Sequence, residues 1–137
     1  FVFNCQMGRG RTTTGMVIAA MVTLVRSGAA VSILGSTISS PPQQAVHLSG
    51  NYRLIVKLVA ALARGKHAKI LADHAIDRCA HLQNLRDCIY DYKVKLDAFG
   101  AGSMGGGEEV EAVRERGVNY LVRYFFLVAF AGYLLEA

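Results

Sequence analysis

No aspartate or glutamate occurs before Asp73, although the same stretch carries eight lysines and arginines. The first half of the chain therefore cannot supply a carboxylate as general acid or base. From Asp73 onward ten acidic residues face seven basic ones, so the net charge of +5 conceals a purely basic half followed by an acidic one. Cysteine is scarce too. Cys5, Cys79 and Cys88 make an odd set with no C-x-x-C spacing. That excludes a disulfide framework and a zinc site and fits a reducing, cytoplasmic compartment. Cys79 and Cys88 read as small buried hydrophobes. His47, His67, His74 and His81 lack ligand spacing, so neither metal nor cofactor is expected. Long apolar runs are missing as well. The longest, YFFLVAFAGYLL at residues 124–135, meets Arg123 and Asn119 when extended backward. It falls short of the roughly 20 residues of a spanning helix and reads as a buried core helix. The chain opens on Phe1-Val2-Phe3 with no basic leader region, which reads as the interior of a longer protein.

At 137 residues, 53% hydrophobic and 18% charged, the chain suits one domain with a real core. Residues 1–3 are apolar and lead into a glycine loop, as the end of a buried strand does. Residues 16–25, MVIAAMVTLV, are apolar on nearly every side and read as a helix buried between other elements. Residues 27–49 are rich in Gly and Ser and read as a loop, with Pro41-Pro42 ruling out a regular helix. Residues 51–63 carry a helical apolar stripe, and residues 68–80 read as a second helix. Leu82, Leu85, Ile89, Tyr92, Leu96 and Phe99 follow a 3-4-3-4-3 spacing, an amphipathic helix. Residues 100–107, GAGSMGGG, read as a flexible linker, and a helix with early acidic residues closes the chain. The expectation is one strand end and about five helices. A lone strand needs partners that this chain does not contain.

The chemistry concentrates in CQMGRGRTTT, residues 5–14. The C-x5-R pair of Cys5 and Arg11 is weak by itself, but its context is specific: an apolar strand before it, Gly8 and Gly10 inside it, Thr12 after it, then a helix. A phosphate group is held well by backbone N–H groups of a tight loop at a helix N-terminus. Gly8 and Gly10 allow the backbone to approach closely. Arg11 can grip two oxygens in fork geometry. The same positive field lowers the pKa of Cys5, making it a thiolate suited to in-line attack on phosphorus. Thr12 can donate a hydrogen bond to the sulfur. Rival motifs fail on spacing: Walker A needs a lysine where Arg11 stands, and a dinucleotide G-x-G-x-x-G needs glycine where Thr13 stands. The plain alternative is a strand–turn–helix junction with an inert cysteine. For the basic half, an anionic ligand or acidic membrane surface competes with a merely solvated basic face.

CQMGRGRT resembles the phosphate-binding loop of the cysteine-dependent phosphatases. With GNYRLIVKLV, IDRCAHLQNLRDCI and YLVRYFFLVAFAGYL, it is similar to the paladin-like family of these protein-tyrosine-phosphatase-like proteins. The resemblance covers most of the chain; the 27–49 loop and the Gly-rich stretch match least. It implies an α/β fold in the parent protein, a central sheet flanked by helices, of which residues 1–137 are the C-terminal, mainly helical portion. It also implies Cys5 as nucleophile, Gln6, Met7, Gly8, Arg9, Gly10 and Arg11 as the phosphate cradle, and Thr12 supporting the thiolate. Most active relatives carry His just before the cysteine, where this chain has Asn4. Arg9 adds a cation at a position that is also basic in some phosphoinositide phosphatases; exposure to solvent is the other reading of it.

The expected function is phosphomonoester hydrolysis through a cysteinyl-phosphate intermediate in the intact protein, on polyanionic substrates such as phosphoinositides or inositol phosphates. The alternative is a pseudophosphatase that binds phosphate or phosphorylated partners without turnover. Expected partners are a phosphorylated small molecule, lipid head group or phosphoprotein, and the upstream part of the same domain. No nucleic acid and no transmembrane segment are expected, while an acidic membrane surface remains open. Asp73, Asp77, Asp87 and Asp91 fall on predicted helices and read as solvated helix charges, so the leaving-group acid is expected upstream.

Overall fold

The computed structural model describes residues 9–35, 52–81, 83–100 and 107–136, and of residues 9–11 the backbone alone. All regular structure among them is helical. The helices are α1 (Arg9–Arg26), α2 (Ala29–Gly35), α3 (Arg53–Ala61), α4 (Gly65–Arg78), α5 (Leu85–Gly100) and α6 (Gly107–Glu136). Residues 1–3, which read as a strand end, lie outside the described residues.

The core forms around α6, which packs against α4 and α5 along most of their length and also touches α1 and α3. Tyr124, Leu127, Val128 and Ala131 recur on one side of α6 and are buried, as a helix with an apolar stripe requires. They meet Val17, Met21 and Leu24 of α1, Ile55 of α3, and Ala68, Leu71, Ala72, Ala75 and Ile76 of α4 in one cluster. The apolar segment 124–135 thus lies in a core helix, but that helix has 30 residues and an outward face. Val118, Val122, Phe126 and Tyr133 are exposed on it, and by length and composition α6 is long enough and apolar enough to cross a membrane.

Small residues set how closely the helices approach. A Cβ on Gly65 would lie 1.9 Å from the Val59 carbonyl oxygen, so the α3–α4 corner closes only with glycine there. On α6, Gly132 sits against Leu62 and Ala68. Asn84 caps α5: its Oδ1 accepts the backbone N–H groups of Arg86 at 3.0 Å and Asp87 at 3.3 Å, which satisfies donors that a helix start leaves open. Glu108 and Glu109 occupy the first turn of α6, the positive end of its dipole.

Two expectations need correction. The stretch 27–49 reads as loop, yet α2 forms inside it. Gly28 turns the chain with φ +79°, α1 and α2 meet at 93°, and Ala30 is buried. The prolines that exclude helix stand after Gly35, so they do not bear on AAVSILG. Residues 16–25 read as buried all round, whereas α1 buries Val17, Met21 and Leu24 on one face and leaves Ile18 and Thr23 exposed. Of the Gly-rich stretch, Gly100 closes α5 and Gly107 opens α6, while residues 101–106 lie outside the described residues.

Candidate functional site

α1 starts at Arg9, three residues earlier than the motif implies, so Arg9, Gly10 and Arg11 form its first turn rather than the end of a loop. The consequence is physical: the N–H groups of a first turn have no partners within the helix, and they collect at the positive end of its dipole. Cys5, Gln6, Met7 and Gly8 lie outside the described residues. Thr12 is half-buried and Thr13 is buried at 5% exposure.

One turn into α1, Thr13, Thr14 and Val17 border a cavity of about 10 Å³, room for about one water. Gln83 and Arg123 reach the same cavity from the α4–α5 connection and from α6. Tyr120 organises both: its hydroxyl lies 3.4 Å from Gln83 Nε2, its ring lies 5.6 Å from the Arg123 guanidinium, and it stacks on Tyr92. Arg123 has no ion pair with a carboxylate among the described residues. Sequence reasoning misses both Gln83 and Arg123. A lone arginine within the apolar run of α6 is the signal that could have found one of them.

Behind this cavity lies a polar network. Asp73 on α4 accepts a hydrogen bond from the Tyr124 hydroxyl, pairs with Lys69 at 2.6 Å and lies 3.8 Å from Arg86 Nη1. Arg86 also pairs with Asp77, which Asn84 Nδ2 approaches at 3.2 Å. Asp73 is therefore no solvated helix charge: its side chain is only 16% exposed and it ties α4 to α5 and α6. Asp73 is partnered because a carboxylate out of water is costly unless paired, whereas Asp77, 55% exposed, stays largely solvated as expected. Burial raises the Tyr124 phenol far above its ordinary range, and the Asp73 charge raises it further, so it stays a donor. For Arg86, burial pulls downward, but Asp73 and Asp77 outweigh it and leave its pKa raised. Asp87 and Asp91 are exposed on α5, as expected. Among the described residues no group of His, Cys, Asp and Glu could hold a metal ion.

Comparison with known proteins adds the rest. Paladin of Homo sapiens is 34% identical over 141 residues, covering 98% of this chain and 15% of the relative. Paladin of Gallus gallus is 34% identical over 143 residues, and that of Danio rerio 29% over 136, each again covering 98% of the chain. The chain belongs to the paladin-like family. This paladin-like chain spans about 15% of the length of the relatives it matches. The PTP-like phytase family model, described as inositol hexakisphosphate, matches residues 1–23, the segment that holds Cys5 to Thr12. No solved structure matches. The protein is thus phosphatase-like by family, and its described residues are helical, which fits the C-terminal part of such a protein.

Proposed function

We propose that the intact protein hydrolyses phosphomonoesters through Cys5, on substrates carrying several phosphates such as phosphoinositides or inositol phosphates. The observation that carries this reading is the match of the PTP-like phytase model to residues 1–23, with Cys5, Arg11 and Thr12 all in place. In the first step the Cys5 thiolate attacks phosphorus, the S–P bond forms and the P–O bond to the leaving group breaks. That oxygen takes its proton from a general acid. Water then hydrolyses the cysteinyl phosphate, releasing phosphate and restoring the thiolate. The backbone of Gln6 to Arg11 and the Arg11 fork hold the equatorial oxygens throughout. Thr12 donates to the sulfur as it leaves, and Arg9 reads a second phosphate.

The acid comes from outside this chain. No carboxylate precedes Asp73, and Asp73 and Asp77 are engaged with Lys69, Arg86 and Tyr124. In the parent, an upstream sheet completes an α/β phosphatase domain whose C-terminal portion is residues 1–137. The second reading, a pseudophosphatase that holds phosphate or a phosphorylated partner without turnover, rests on Asn4, where most active relatives carry His.

Phosphate release by the intact parent separates the two. Phosphoinositides, inositol polyphosphates and a phosphotyrosine peptide are offered to the wild type and to Cys5→Ser. Release that disappears in Cys5→Ser supports the enzyme. Binding of vanadate without release would establish the pseudophosphatase instead.

A further inference from the structure

Between Tyr52 and Ala72 the charged side chains are all cations: Arg53, Lys57, Arg64, Lys66 and Lys69. Lys69 turns inward to Asp73. The other four are exposed, and none pairs with a carboxylate among the described residues. Arg64 alone is anchored, its Nη1 donating to the Leu135 carbonyl at 3.1 Å, which fixes the corner between α3 and α4 against the end of α6.

The apolar residues beside these cations are arranged, not scattered. At 3.6 residues per turn, Ile55, Leu58 and Val59 share one side of α3, and they are buried or half-buried. The outward arc has Arg53 and Lys57 at its centre, with Leu54 and Val56 on its two flanks, 41% and 51% exposed. A basic face that only meets water gains nothing from branched aliphatics along both edges. A surface that meets a lipid interface does: cations lie over anionic headgroups while aliphatic flanks enter the acyl boundary. Asp87 and Asp91, opposed by Arg86, act on Tyr52 at the start of α3, while Lys57, Arg64 and Lys66 face no carboxylate partner among the described residues.

We propose that α3 and the α3–α4 corner form a docking surface for an anionic lipid bilayer. Lys57, Arg64 and Lys66 supply the electrostatic attraction; Leu54 and Val56 supply the apolar contact. Arg53 and Lys57 on α3, Arg64 at the corner and Lys66 at the start of α4 make the kind of basic cluster that acidic leaflets attract, each cation worth about a fivefold change in binding. A nucleic acid would use the cations and leave Leu54 and Val56 idle. This inference stands apart from the phosphatase reading, because none of its residues belongs to the Cys5 loop.

The test sediments the intact parent protein with vesicles of phosphatidylcholine, alone or mixed with phosphatidylserine. Binding is expected only to the mixed vesicles and falls as salt rises. Lys57→Gln and Lys66→Gln should each weaken it about fivefold, and about 25-fold together. Leu54→Ser combined with Val56→Ser should weaken it at fixed charge. Circular dichroism of each variant checks its fold, and if the aliphatic pair misfolds, the lysine pair decides. Equal binding to uncharged vesicles would overturn the proposal. So would indifference to the lysine changes, or RNA binding that survives the aliphatic changes while vesicles are ignored.

Discussion

Cys79 and Cys88 are the chain's own controls for Cys5. Burial pushes both thiols above their ordinary value, with Arg78 pulling Cys79 partly back and a Gln83 hydrogen bond doing the same for Cys88. A raised pKa means that both remain protonated, and therefore poor nucleophiles, at neutral pH. A thiolate at Cys5 is the opposite case. With iodoacetamide at about pH 6–7, Cys5 should be alkylated first, while Cys79 and Cys88 react only at alkaline pH or after unfolding. Peptide mapping reads the order, and early modification of Cys79 would contradict it. The Asp73 network gives a second residue-scale expectation. Tyr124→Phe removes one donor from a carboxylate that keeps Lys69 and Arg86. It should cost about 1–3 kcal/mol, read as a lower urea midpoint. An unchanged midpoint would show that this hydrogen bond adds nothing.

At the scale of helices, the amphipathic spacing from Leu85 to Phe99 is what makes α5 legible in the sequence. Apolar residues three and four apart have only one way to share a face. α3, α4 and the closing α6 are legible for the same reason. α2 is not, because its seven residues sit among Gly and Ser, and the burial of Ala30 depends on a turn at Gly28 that spacing does not reveal. The start of α1 is displaced by three residues because glycine in a motif reads as loop, although a first helical turn tolerates it. Nor does spacing show the α3–α4 corner, whose closure depends on Gly65. Gly65→Ala would drive a Cβ into the Val59 carbonyl oxygen. It should destabilise the chain by about 2 kcal/mol or more, measured by thermal or urea unfolding. A neutral result would mean that the corner relaxes at no cost.

For the molecule as a whole, the motif CQMGRGRT is readable because Cys5, Gly8, Gly10, Arg11 and the helix start are adjacent in sequence. The side chains that surround the start of α1 are not, since Gln83 and Arg123 come from far along the chain and meet Thr13 only after α5 and α6 have packed. Asp73 is misleading in sequence for the same reason: Tyr124 and Arg86, which hold it, lie on other helices. Among the described residues the chain is a paladin-like set of packed helices, α1 beginning within the C-x5-R segment and the cationic α3 following farther along. Covalent catalysis by Cys5 is tested most directly by trapping the intermediate. The intact parent would be mixed with labelled substrate, quenched with acid within the first turnover and mapped for phosphate. Label is expected on Cys5 and absent in Cys5→Ser. Turnover with no label on Cys5, or label retained in Cys5→Ser, would contradict it.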